Sequence, residues 1–196
     1  MDNINFFEEN IELAEMKNYL NSERFNHTQK VVKAAVELAE IHGADLDKVK
    51  TAAYLHDIAK SFSKDEIEDL LKDTKWEINK LEWSISAVLH APAGAEFAKI
   101  EFNIKNYEIL EAIRYHTLGH PNMGIIAQII YAADFVEEDR KFKGLDKIRK
   151  VIKADLDRGI YLISHYSILY QLELDNPVHP YTNELRNKFL LKRSDN

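Results

Sequence analysis

The sequence predicts an all-α protein. Apolar residues recur at helical rather than alternating spacing, and no hairpin dipeptide separates them. Only six glycines and four prolines interrupt the chain, so long periodic stretches survive. The clearest helix carries Val31, Val32, Ala35, Leu38 and Ala39 as a one-sided stripe. It should stop near His42-Gly43, because glycine suits the residue just beyond a helix end. Asp45 offers the N-cap of a second helix, expected to run through Leu55, His56 and Asp57 to Lys60. Ser63 and Glu66 read as a capping box opening a short third helix.

Further on, Trp83 to His90 reads as helical, and Pro92 starts another helix reaching about Ile100. Tyr107 to Thr117 follows and is broken by Gly119 and Pro121. Met123 to Asp139 places Ile126, Ile129, Ile130 and Ala133 at helical spacing. A long pattern from Leu145 to about Leu174 should kink near Gly159. Pro177 and Pro180 end it, and a last amphipathic helix closes the chain. No linker, repeat or low-complexity tract divides the 196 residues, so a single domain is expected.

Bulk composition narrows the function. With 45% hydrophobic and 30% charged residues the chain is of the globular kind. A formal net charge of -7 argues against binding long nucleic acid, which needs a basic footprint. It leaves room for a small phosphorylated ligand neutralised by local cations. The absence of cysteine excludes disulfides, thiolate metal sites and cysteine nucleophiles. Met1-Asp2-Asn3-Ile4-Asn5 has no basic region leading into an apolar one, and no stretch approaches the ~18 apolar residues of a membrane span. A cytoplasmic protein with no membrane partner is the expectation.

The chemistry is concentrated in a few polar residues set among apolar neighbours. His56-Asp57 stands out, because a buried unpaired charge costs several kcal/mol. Adjacent helical residues point about 100° apart, so the two cannot satisfy each other along one face. His27, His90, His116 and Asp134 lie in or beside other apolar helices. Taken singly, each could be an ordinary hydrogen-bonded or ion-paired residue. Together they are a ligand set that a helical bundle can turn inward around a metal. Imidazole plus carboxylate suits iron, manganese, cobalt, nickel or zinc, and metal-assisted hydrolysis is the natural chemistry. His42, His165 and His179 read as bland.

The spaced His27, His56-Asp57 and Asp134 resemble the signature of the HD-domain metal-dependent phosphohydrolases. The segments around them sharpen the likeness. Arg24-Phe25-Asn26-His27, Leu55-His56-Asp57-Ile58-Ala59-Lys60, Leu89-His90-Ala91-Pro92, Ile113-Arg114-Tyr115-His116 and Ala133-Asp134 through Arg140 are similar to those of bacterial symmetrical diadenosine tetraphosphate hydrolases. His179-Pro180-Tyr181-Thr182 also fits. The resemblance spans about residues 18–187 and implies an HD-domain helical bundle. It implies a divalent or mixed-valence metal centre, most readily iron, held by His27, His56, Asp57 and Asp134. It further implies cleavage of diadenosine tetraphosphate into two ADP.

By the same resemblance, Arg24, Asp57, Ile58, Ala59, Lys60, His90, His116 and Arg140 match positions around the nucleotide phosphates. Asp57, Lys60, His90 and His116 carry the catalytic expectation. His90 and His116 have two open roles, a second metal or phosphate contact and proton transfer. His120 is a weak further candidate. The chain departs from the family's usual pattern at Lys30-Val31, Ala53-Tyr54 and Glu138-Asp139. Attack of metal-activated water beside the central bridging oxygen is the expected mechanism. An HD-type nucleotidase or alarmone phosphohydrolase is the rival enzyme, and a non-catalytic nucleotide sensor the rival of another class. A homodimer is a further expectation, from apolar residues on the last helices.

Overall fold

A computed structural model describes residues 13–192, so the expectation about the first five residues lies outside it. No strand occurs among the described residues. After a 3-10 turn at Leu13–Asn18, α1 runs Ser22–His42. Asn21 caps its start by accepting the Arg24 backbone N–H, and Gly43 ends it at φ 69, a conformation that favours glycine. α2 is Leu46–Leu55, with Asp45 accepting the backbone N–H groups of Asp47 and Lys48. α3 is Lys64–Leu71 and begins on the expected Ser63–Glu66 capping box.

The run from Ala52 to Lys60 is not one helix. α2 stops at Leu55, and the chain continues in tight turns in which Ile58 N–H donates to the Leu55 carbonyl and Lys60 N–H to the Asp57 carbonyl. Leaving the helical ladder here lets two consecutive polar side chains aim at one point, which a regular helix would not allow. Lys60 therefore reaches the same region from a turn.

The helix expected over Trp83–His90 is also divided. α4 covers Lys80–Ser84, a 3-10 turn covers Ser86–Val88, and α5 covers His90–Glu101. The first break is at Ile85, whose backbone leaves the helical region (φ -114, ψ 75), and Pro92 is the physical reason for the second. It lacks the N–H that would bond back to residue 88 and its ring would clash there, so the helix must restart with proline in its first turn. α6 is Tyr107–Tyr115 and α7 is Ile125–Val136.

The long C-terminal pattern splits into α8 (Leu145–Ala154) and α9 (Leu156–Glu173), followed by α10 (Pro180–Leu191). The break is at Asp155, not Gly159. Asp155 is extended (φ -153, ψ 104) and caps α9 by accepting the Arg158 N–H at 2.9 Å. Gly159 serves packing instead, since a Cβ there would stand 2.4 Å from Ile152 Cδ1.

α1 packs on α2 and α7, α6 packs on α2, α5 and α7, α8 packs on α1 and α7, α9 on α7 and α8, and α10 on α9. One apolar cluster extends from Met16 to Phe189. Ile126, Ile129 and Ile130 of α7 are buried in it, each contributing about 1.5–3 kcal/mol before conformational entropy is subtracted. This core fixes the helix ends that carry the polar residues. Among the described residues, no helix is long and apolar enough to cross a membrane.

Candidate metal centre

Three of the histidines are held by one local device. His56 follows α2, His116 follows α6, and His90 follows the 3-10 turn at Ser86–Val88. Carbonyls at such helix exits lack an intrahelical partner. Each ring fills that role for itself, with Nδ1 2.8 Å from the carbonyl three residues earlier: Ala53, Ala87 and Ile113. A carbonyl only accepts, so Nδ1 carries the proton and Nε2 presents a bare lone pair.

Those lone pairs converge on Asp57. Its Oδ1 lies 3.1 Å from His90 Nε2 and 3.4 Å from His116 Nε2, while its Oδ2 lies 3.8 Å from the Nε2 atoms of both His27 and His56. His27 Nε2 is also 3.1 Å from Asp134 Oδ1. Two trios share the carboxylate: His27, His56 and Asp57, and then Asp57, His90 and His116.

Burial lowers the His56 pKa to about 4, so the ring is neutral at ordinary pH. Burial likewise lowers His90. Burial opposes the charge on Asp57, yet the carboxyl is held well below the usual range, because a proton entering the cluster goes to the surrounding imidazoles before it goes to the carboxylate. Asp134 is also depressed, its burial outweighed by the bond to His27 and the nearby His56 and His116. The centre is thus an anionic, acceptor-rich hole. His56 Nε2 is buried without a hydrogen-bond partner, and the Nε2 atoms of His90 and His116 face each other at 3.2 Å. A cation resolves both conflicts, so the residues fit a metal.

Cations surround the hole. Arg24 Nη1 is 3.2 Å from Asp57 Oδ2, and Arg140 Nη2 is 3.2 Å from Asp134 Oδ1. Lys60 Nζ is 3.1 Å from His90 Nε2 and 3.8 Å from Asp57 Oδ1. Ile58 and Ala59 bury their side chains in the core, so any ligand contact there is left to the main chain. His120 stands apart from both trios, stacked on Tyr115 with centroids 4.6 Å apart. His42 bonds the Ile152 carbonyl, His165 lies against Arg186, and His179 caps α10.

This geometry has a family counterpart. The HD domain family model matches residues 24–139, and these residues carry both trios. This chain belongs to the HD domain family. It is 35% identical over 178 residues to the symmetrical bis(5'-nucleosyl)-tetraphosphatase of Halalkalibacterium halodurans, covering 91% of this chain and 95% of the relative. It is 36% identical to the enzyme of that name from Bacillus subtilis, covering 87% and 91%. A crystal structure from Clostridium acetobutylicum, described as a predicted HD superfamily hydrolase involved in NAD metabolism, superposes with a TM-score of 0.86 at 32% identity, covering 92% and 95%. These relatives place the chain in the symmetrical tetraphosphatase branch of the HD family.

Two residues of the site were not foreseen from the sequence. Glu137 is 4% exposed, with Oε1 3.8 Å from His27 Nδ1 and Oε2 accepting the Asp139 N–H at 2.7 Å. Its signal was the spacing of three from Asp134, which puts it one turn on. Lys30, one turn beyond His27, ion-pairs with Asp139 and enters a cleft of about 350 Å³ that also holds Arg24 and Arg140.

Proposed function

We propose that this HD enzyme is a metal-dependent hydrolase that splits diadenosine tetraphosphate symmetrically into two ADP. The observation that carries the chemistry is the buried Asp57 carboxylate shared by two imidazole trios, with the buried His56 Nε2 left without a hydrogen-bond partner. The names of relatives covering nearly the whole chain support the substrate. In this reading His27, His56, Asp57 and Asp134 hold the metal, with Glu137 steadying His27 from the other ring nitrogen. Iron is the proposed ion, from a donor set that manganese, cobalt, nickel or zinc could share. A metal there supplies Lewis acidity, lowering the pKa of water and polarising a phosphoryl oxygen.

The chain's own residues do the rest. The protein is acidic overall, so a polyphosphate needs local cations. Arg24, Arg140 and Lys60 stand at the rim of the hole, where charge-assisted bonds to phosphate can replace their present carboxylate partners. Lys60 meets charge developing on the bridging oxygens. His90 and His116, once one of them takes up a proton at Nε2, contact phosphate and pass that proton to the leaving ADP. Their trio with Asp57 Oδ1 favours a second reading, in which they hold a second metal and Asp57 bridges. A metal count on His90→Ala separates the two. Loss of a metal equivalent supports the bridge, and an unchanged count supports the phosphate role.

The whole chain is proposed to work as one cytoplasmic domain. Exposed Leu169, Tyr170 and Leu172 on α9 support a homodimer, which sedimentation would test. The deciding experiment is product analysis on anaerobically purified protein with metal assayed in parallel. Two ADP per diadenosine tetraphosphate is the expected result. Release of inorganic phosphate or pyrophosphate points to a nucleotidase or alarmone hydrolase, and nucleotide binding without turnover points to a sensor.

A further inference from the structure

A dinucleotide cut at its midpoint has two equal halves, which extend in opposite directions from the bond that breaks. The Asp57 cluster has a cleft on each side. On the Oδ2 side, Arg24 and His27 lead into the polar cleft that holds Lys30 and Arg140. On the Oδ1 side, Lys60 and His90 lead into a second cleft of about 290 Å³, walled by Phe62, Ile67, Ala87 and Leu89.

The two clefts suit different parts of a nucleotide. Apart from His27, nothing lining the first is aromatic or aliphatic, so it offers charge for phosphates and no platform for a base. The second has the reverse character. Leu89 is buried, Phe62 and Ile67 are half-buried, and the Phe62 ring is braced edge-on by Phe97 with centroids 5.0 Å apart. A braced ring keeps an apolar wall in place when nothing fills the space beside it. At the inner end Lys60 Nζ lies 3.1 Å from His90 Nε2, so a phosphate there would sit beside the reacting centre. At the outer rim are the Ser86 hydroxyl and the Glu68 carboxylate, the latter 3.4 Å from Lys64 Nζ. Nucleobases have apolar faces and hydrogen-bonding edges, and they gain most by stacking on apolar surface with polar groups at the rim.

We propose that the cleft walled by Phe62, Ile67 and Leu89 seats the base of one adenosine of the substrate. Its phosphates pass Lys60 and His90 toward the centre, and the other half leaves through the cleft of Arg24, Lys30 and Arg140. The assignment rests on the diadenosine tetraphosphate reading. It gives the symmetric cut a structural cause: the bond midway between the two bases lies over Asp57 when one base fills the apolar cleft.

The test blocks the cleft from exposed positions. Ala87→Trp and Ser86→Trp fill it from the surface, and Ala87→Trp keeps the carbonyl that orients His90. KM and kcat are measured on the metal-loaded enzyme with diadenosine tetraphosphate and with adenosine 5'-tetraphosphate, which has one base and can turn its bare end toward the blocked cleft. Each variant should raise the KM for the dinucleotide about tenfold relative to that for adenosine tetraphosphate, the lower range of losing one stacked base. A KM ratio unchanged in both variants, in an enzyme whose wild type yields two ADP, overturns the cleft assignment alone. A wild type that yields no ADP overturns the substrate reading beneath it.

Discussion

Two buried ionic groups in this molecule differ in what they leave unmatched. The Asp57 centre gathers acceptors: an ionised carboxylate and Nε2 lone pairs directed at one another. The Arg114–Glu82 pair is fully buried and its opposite charges meet away from solvent, whereas the guanidinium groups that reach Asp57 and Asp134 belong to the partly exposed Arg24 and Arg140. Arg114 Nη2 lies 2.8 Å from Glu82 Oε2 and 2.8 Å from the Glu77 carbonyl, and its guanidinium stands over the Tyr115 ring at 5.0 Å. What remains there is two donors, Arg114 Nε and Nη1, against one acceptor, Glu82 Oε2, so the surplus is of donors. A buried charge alone therefore does not mark a site for a cation. An uncompensated excess of lone pairs does.

The sharpest way to break this contrast is to substitute each centre in turn. Asp57→Ala should reduce hydrolysis on the order of 10³-fold or more and abolish tight metal binding by calorimetry, without destabilising the metal-free protein. Substantial residual turnover would refute the assignment. Arg114→Met should do the opposite. It leaves Glu82 buried and unpaired, so urea unfolding should show a loss of about 3–5 kcal/mol, while turnover per folded molecule persists. A stable variant would mean the pair is not the internal partner that the geometry depicts.

A smaller effect tests the electrostatics on the Arg114 side. Burial, then the positive charge of Arg114, lowers the His179 pKa to about 4. The unfolded chain therefore takes up this proton first. The contribution of His179 to stability is complete above about pH 6.5 and is lost as pH falls toward its folded pKa. Between pH 7 and 5 that loss should be about 1–2 kcal/mol. His179→Asn retains an N-cap for α10 and should flatten the slope in urea titrations; an unchanged slope would assign it to other groups.

The smallest effect lies at the rim. Lys30→Met should raise KM about threefold and Asp139→Asn should lower it, since exposed ion pairs are weak and readily exchange partners. Shifts in the same direction would make the pair a mere tether for the 137–140 loop.

The contrast between the two buried groups also shows what the sequence could convey. Asp45, Ser63 with Glu66 and Gly43 were legible because caps and left-handed ends depend on two or three neighbouring residues. His27, His56-Asp57 and Asp134 were legible because a polar residue in an apolar run is anomalous wherever it folds. Arg114 does not stand out in the sequence, since its burial depends on Glu82 and the Glu77 carbonyl, more than thirty residues away. Glu137 was hidden within an acidic run, where only its spacing of three from Asp134 distinguishes the carboxylate that turns inward. The break at Asp155 was missed because apolar spacing continues across it, while only the side chain bonding Arg158 N–H betrays the new start.

The carbonyl clasps on His56, His90 and His116 have a consequence for how the centre can fail. The aim of each ring is set within four consecutive residues of its own backbone, and none of the three needs another to orient it. Deleting one ligand should leave the other two facing where they faced before. The centre should therefore degrade in steps, with weakened variants still binding ions of altered preference. That modularity makes it a tractable scaffold for exchanging one donor at a time.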